Sequence, residues 1–268
     1  MAEEKTESKP SEEKKQGEGR SNGNFRNNGR DNFRRGNNSN FKRESPEERQ
    51  ARESQERLDN WVPKTVLGKA VMAKKIKTLD EIFKSGVKIM EPEIVDSLVK
   101  LKVDLLNIGQ AKGKFGGGKR RAWRQTQKKT KEGNIATFAV MAVVGNEDGL
   151  MGLGFGRAKE TLPAKEKAIR KAKLNIQKIE RGCSSYDCSC EETHSIPLTV
   201  EGKCSSVKVK LMPAPQGTGL AACDEIKKIL SLAGIKDIYS KTHGKTGTTI
   251  NTAKATLDAL NKLSKVKL

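Results

Sequence analysis

Gly133-Asn134-Ile135-Ala136-Thr137-Phe138-Ala139-Val140-Met141-Ala142-Val143-Val144-Gly145 decides how this chain folds. Ile135 to Val144 is nearly all apolar, with many β-branched or aromatic side chains. Such a run predicts a buried strand and is too short to span a bilayer. Asn146-Glu147-Asp148-Gly149 then supplies turn chemistry, with Gly149 free to take positive φ. Leu150-Met151-Gly152-Leu153-Gly154-Phe155-Gly156 returns as a second strand whose alternate residues are glycine, so one face is bare. Interior glycine weakens a strand unless something comes close to the backbone. That bare face is expected to admit either phosphates, at Gly152 and Gly154, or a packed helix.

On the C-terminal side, Arg157-Ala158-Lys159-Glu160-Thr161-Leu162-Pro163 runs into a basic helix. Ile169, Ala172, Ile176 and Ile179 recur at spacings of three and four, which predicts one helix extending towards residue 181. Arg157, Lys159, Lys165 and their neighbours give residues 157–181 a net charge of +6.

On the N-terminal side lies the most charged segment. Lys112, Lys114, Lys119, Arg120, Arg121, Arg124, Lys128, Lys129 and Lys131 are nine cations with no acid among them. The glycines between Lys112 and Lys119 predict a flexible loop between strands. Trp123 sits between Arg121 and Arg124, where it can stack on a base or a guanidinium. The alternative is a solvated hairpin with Trp123 turned to the core. So one-sided a run favours phosphate contact, and A-form RNA, which hides its base edges, would be held through its backbone.

The bulk properties agree. The 268 residues carry a formal net charge of +20, and only 4% are aromatic. Clustered Lys and Arg bind polyanions by releasing their counterions. No membrane partner is expected: no apolar run is long enough to span, and the start Met1-Ala2-Glu3-Glu4-Lys5 has no signal-peptide core. Residues 1–57 are rich in Asn, Gly, Glu, Lys and Arg, with Phe25, Phe33 and Phe41 the only large apolar side chains. They predict a disordered polar tail, read either as an RNA-binding arginine-glycine arm or as a solubilising segment.

The ordered part is expected to divide at residues 58–182 and 183–268. In the first, Trp61-Val62-Pro63 predicts an anchor. Thr78 with Glu81 forms a capping-box signature, Gly86 ends that helix, and Pro92 opens another. Val103 to Ile108 predicts a short strand. Two helices, three strands and a closing helix resemble a double-stranded-RNA-binding architecture. In the second, alternation at Ile196–Val200 and Val207–Leu211 predicts two strands. The loop Pro213-Ala214-Pro215-Gln216-Gly217-Thr218-Gly219 leads to a helix, residues 235–240 to a strand, and Thr248 or Thr249 caps a last helix. The class is α+β, with β-β-α-β-α order in this second part. Gly217 and Thr218, just before a helix, are placed to offer amides to a phosphate.

The odd number of cysteines fits a reducing compartment rather than a disulfide framework. Cys183, Cys188, Cys190 and His194 offer three thiolates and one imidazole within twelve residues. Tetrahedral zinc takes such a set, although the spacing is not the usual paired Cys-x-x-Cys. Two readings stand: one zinc ion, or reduced thiols in a loop.

Residues 138–160 (FAVMAVVGNEDGLMGLGFGRAKE), 202–220 (GKCSSVKVKLMPAPQGTGL) and 233–260 (AGIKDIYSKTHGKTGTTINTAKATLDAL) resemble a ribosomal small-subunit family, protein five in the universal nomenclature. The resemblance covers about residues 58–265. Trp61-Val62-Pro63 resembles the archaeal and eukaryotic branch, and the cysteine-bearing linker tilts the resemblance towards the archaeal side. It implies a non-enzymatic protein of the cytoplasmic ribosome. Both domains would dock on small-subunit ribosomal RNA beside neighbouring ribosomal proteins. It also implies a place where mRNA enters the subunit, and a part in decoding accuracy. The chain departs from the family pattern at Asn134-Ile135-Ala136-Thr137 and at Gln216, where basic residues are usual, so RNA contact is not carried over to those positions.

Enzymatic look-alikes are weaker. Ser205-Ser206-Val207-Lys208 and Lys245-Thr246-Gly247 match short motifs of penicillin-recognising enzymes, but that serine must start a helix, whereas here it enters an alternating strand. A small-molecule kinase sharing the second domain's fold would need a long phosphate loop. The nearest match, Gly113 to Lys119, has Arg120 where a hydroxyl should hold magnesium. With only His194 and His243, acid–base machinery is sparse. A free double-stranded-RNA-binding module acting outside the ribosome is the third reading.

Overall fold

The computed structural model describes residues 52, 55–111, 118, 120–184, 186, 188, 190 and 192–264. Nearly all of the tail expected at 1–57, and Lys112, Lys114 and Lys119 of the basic loop, lie outside those residues. No helix among the described residues is long and apolar enough to cross a membrane.

The first sheet holds β1 (Lys102–Leu105), β2 (Trp123–Thr130), β3 (Gly133–Gly145), β4 (Leu150–Ala158) and β5 (Ile176–Lys178). The expected hairpin is its centre: β3 and β4 pair antiparallel, Val140 opposite Gly156 and Val144 opposite Gly152, and Gly149 closes the turn at φ +88°. β2 and β1 share the other edge of β3, β2 along Gly133 to Val140 and β1 along Ala142 to Gly145. β1 is shorter than the strand expected at 103–108.

Both faces of the hairpin are covered, which is why β3 reads as a continuous apolar run rather than an alternating one. Val140 and Ala142 pack with Ala164 and Ala168 of α4 (Thr161–Leu174). Met141, Val143, Met151 and Leu153 point the other way, into a core that also holds Ile226, Ile229 and Leu230 of α5 (Asp224–Leu232).

The helix expected to reach residue 181 stops at Leu174. Asn175 leaves helical geometry, and Ile176 pairs with Gly152 at the free edge of β4. Ile179 N donates to Gly149 O at 2.7 Å. An open edge offers residues 176–178 backbone partners that a further helical turn would forgo. The buried stripe of α4 is therefore Ala164, Ala168 and Ala172, not isoleucines.

Three short helices, α1 (Val66–Met72), α2 (Leu79–Ser85) and α3 (Pro92–Leu98), build a second core around Ile82, Ile94 and Val95, with Ile176 as its link to the sheet. The capping box at α2 is not made: Thr78 makes no side-chain cap bond, and Glu81 accepts from Lys77 N at 3.3 Å, one residue before the N-cap, rather than from Thr78 N. The Trp61 anchor is held by Glu91. Its carboxylate accepts from Trp61 Nε1 at 3.1 Å, Lys64 N at 2.9 Å and Thr65 N at 2.8 Å. Burial works against this charge, but the Thr65 and Lys64 amides more than offset it and hold the carboxyl below its ordinary value.

The second sheet runs β6 (Val200–Cys204), β7 (Val207–Pro213), β9 (Ile238–His243), β8 (Leu220–Ala221), all antiparallel except β8 with β9. The β-β-α-β-α order is present, with β8 added before α5 and the strand expected at 235–240 moved to Ile238–His243. α6 (Thr249–Leu263) packs on β6 and starts without a threonine side-chain cap bond. The two sheets are joined at the hairpin turn. Glu147 N and Gly149 N donate to Leu232 O and Ala233 O at the end of α5, at 3.0 and 3.1 Å, and Arg181 pairs with Asp148.

Candidate nucleic-acid interface and metal centre

Strand alternation and register place the cations. β2 leaves the covered part of the sheet, so Trp123, Arg124, Gln125, Gln127, Lys128 and Lys129 are exposed along it. Arg124, Ala139 and Arg157 form one cross-strand row, two guanidinium groups flanking a methyl. Arg157 is anchored at its tip: Nη2 donates to Thr137 Oγ1 at 2.9 Å, and the Thr126 and Thr137 hydroxyls are 2.9 Å apart. On the opposite side of the ribbon, Arg121 lies 5.8 Å from the centroid of the Trp123 ring, a cation–π contact. Trp123 is 38% exposed and is not a core residue. Gln110, Arg121, Trp123, Gln125 and Gln127 line a 440 Å³ cleft beside it. Arg120 bridges to Ala111, and Lys131 is exposed in the β2–β3 turn.

On α4 the exposed cations are Lys165, Lys167, Arg170 and Lys171, with Lys159 exposed just before the helix. Three others are committed within the chain. Lys173 pairs with Asp96 at 2.6 Å, Lys178 with Asp80 at 2.8 Å, and Arg181 with Asp148.

Gly152 and Gly154 lie beneath α4, not on an open face. A Cβ on Gly152 would lie 2.2 Å from Ala172 O, and one on Gly156 2.2 Å from Ala164 O, because α4 lies directly on the bare face. Of the two partners open to that face, the helix takes it.

The Gly217–Thr218 reading also changes. α5 begins only at Asp224, beyond β8, so these amides are not at a helix start. Gly219 N donates to Asp237 Oδ1 at 2.7 Å, and Thr218 N and Oγ1 both turn to Pro215 O. Gln216 and Gly217 remain exposed at the loop tip. With the Thr218 and Gly219 amides bonded internally, the loop does not present the row of free amides that a kinase phosphate loop needs.

Cys183, Cys188, Cys190 and His194 come together: one ligand atom of each lies within 4.8 Å of the others. The linker is pinned at its ends by reciprocal bonds between Gly182 and Ser195, both 2.9 Å. His194 is 1% exposed. Its Nε2 faces Cys188 Sγ at 3.4 Å, and its Nδ1 lies 2.8 Å from Asp237 Oδ2. That second contact is close but not aligned, and Nδ1 makes no well-formed hydrogen bond among the described residues. Cys188 and Cys190 Sγ are 2.8 Å apart. That contact, with the Gln216 N–H, brings the Cys188 thiol down to about 6, and the same contact, with burial and the nearby Cys183, pushes Cys190 up to about 12. One thiolate near neutral pH, two more thiols and an imidazole beside a carboxylate are the donor set of a soft or borderline cation, and the spacing fits a single ion.

Sequence reasoning found the four clustered donors and most of the exposed cations. It missed Asp237, Thr126 and Thr137, which act on those residues across the fold and carry no local signal.

Two family models match the chain: the N-terminal domain of ribosomal protein S5 over residues 122–180 and its C-terminal domain over 202–267. The small ribosomal subunit protein uS5 of Nanoarchaeum equitans is 50% identical over 79% of this chain and 91% of its own length. Its counterpart in Staphylothermus marinus is 48% identical over 78% and 92%, and that of Thermofilum pendens 45% identical over 75% and 93%. Two successive domain matches and such identity over three quarters or more of the chain place it in one family: the chain belongs to the ribosomal protein S5 family.

Proposed function

We propose that this chain is a structural, non-enzymatic constituent of the small ribosomal subunit that grips ribosomal RNA through its phosphates. The exposed row of Arg124 and Arg157 carries this reading, together with Lys128, Lys129 and the outer cations of α4. Fixed guanidinium groups neutralise phosphates without reading bases, which suits an A-form duplex. Residues 58–182 act as the RNA-binding domain, of double-stranded-RNA-binding type, and residues 183–268 as the second domain. Family membership supports neighbouring small-subunit proteins as further contacts and the cytoplasmic ribosome as the location. A position where mRNA enters the subunit, with an effect on decoding accuracy, is part of the same proposal. The Cys183, Cys188, Cys190 and His194 cluster holds one zinc ion that fixes the linker, a segment with little core of its own.

Sedimentation tests the reading. The tagged chain should travel with small subunits through a sucrose gradient and remain there at moderate salt. A chain found only on free duplex RNA would instead be a module acting outside the ribosome.

A further inference from the structure

The metal cluster and the Pro213–Gly219 loop touch at two places. The Gln216 backbone N–H faces Cys188 and favours its thiolate. The second link runs through Asp237, a buried carboxylate whose two oxygens face in different directions: Oδ2 lies 2.8 Å from His194 Nδ1, and Oδ1 takes the Gly219 N–H at 2.7 Å. The strand end carrying Asp237 is itself tied to the linker. Lys236 N and Asp237 N both donate to His194 O, and Ser195 Oγ donates to Asp237 O at 2.6 Å. At the loop's outer side, a Cβ on Gly217 would meet nothing within 4 Å. The loop's geometry is therefore set from its inner side.

We propose that Asp237 is the positioning residue that couples the metal state of the cysteine–histidine cluster to the shape of the Pro213–Gly219 loop. This rests on the metal reading above. A neutral imidazole can carry its proton on either nitrogen. With Nε2 committed to a cation, the proton must sit on Nδ1, where it meets Asp237 Oδ2 as a donor. With Nε2 free, nothing fixes the ring from that side, so the Nδ1–Asp237 contact is no longer oriented, in a site where His194 is 1% and Asp237 4% exposed. A buried carboxylate that loses an aligned partner shifts and loosens the Gly219 amide it also holds. The ion thus acts on a loop it does not touch.

The test uses the full chain, Zn²⁺ as the probe and hydrogen exchange as the readout. Stripping Zn²⁺ from the wild type should speed exchange of the Gly219 and Gln216 amides by about tenfold or more, the equivalent of removing one charge-assisted hydrogen bond, with Val209 and Leu211 in β7 unchanged. Asp237→Asn should still bind one Zn²⁺ but release it to a competing chelator roughly 10–100-fold more readily, and should speed Gly219 exchange even when loaded. Should that variant not fold, the wild-type comparison with and without Zn²⁺ decides. A wild type that holds Zn²⁺ but exchanges Gly219 equally in both states overturns the coupling alone. So does a loaded Asp237→Asn indistinguishable from wild type in exchange and release. A wild type that takes up no Zn²⁺ removes the metal reading and the coupling together.

Discussion

Ala168 and Gly154 meet backbone to backbone: a Cβ added at Gly154 would lie 2.1 Å from Ala168 O and 2.3 Å from Ala172 N. No side-chain rotation relieves such a clash, since both obstacles are main-chain atoms. Gly154→Ala should therefore destabilise the fold by about 3 kcal/mol or more, above the usual cost of overpacking. The midpoint of urea unfolding measures this. A loss under about 1 kcal/mol would show that α4 is not seated so closely.

RNA binding should separate the free cations from the committed ones. Arg124→Ala with Arg157→Ala should weaken binding to small-subunit RNA. It should also flatten the plot of log affinity against log salt by roughly 0.7–0.9 for each phosphate no longer neutralised. Lys173→Ala with Lys178→Ala removes the same formal charge, but those ammonium groups are already spent on Asp96 and Asp80. The second pair should leave the slope close to that of the wild type. Equal slopes for the two double variants would contradict the placement of the interface on β2 and β4.

Glu91 gives a pH signature. Its folded-state pKa is depressed, so its contribution is full above the ordinary carboxylate pKa and fades as pH falls through the lowered value. Thermal unfolding of wild type and Glu91→Gln should differ most near neutrality. The gap should close as the pH falls below the ordinary carboxylate range. A gap that widens on acidification would mean the amides of Lys64 and Thr65 do not stabilise the charged form.

Metal content should follow the cluster and not the cysteine count. Cys188→Ser and Cys190→Ser should each lose most bound zinc, whereas Cys204→Ser and Cys223→Ser, outside the cluster, should retain one ion per chain. Lowering the pH should release the ion, because protons compete for the thiolates. Elemental analysis of the purified variants checks both statements.

The hairpin, its turn and the four clustered ligands are legible because their signals are local: an apolar run, an Asn-Glu-Asp-Gly turn and donors within twelve residues. The end of α4 is not. Ile176 and Ile179 fit a helical period, and only the open edge of β4, a non-local feature, takes them out of the helix. The glycines announce a close approach without saying by what. The three alanines of α4 answer that only once the helix is laid across the sheet. Asp237 has no signal at all: it is an acid before a strand, and its role exists only where His194 and Gly219 converge on it.

One apolar surface has an implication for biosynthesis. Met141, Val143, Met151 and Leu153 emerge from a translating ribosome well before Ile226 and Ile229, the residues that cover them. Synthesis runs from the N-terminus, so the nascent front half must wait with an oily patch uncovered until the back half is complete. A chain truncated after residue 182 would retain that patch for good, and should aggregate or recruit a chaperone rather than persist as a free fragment.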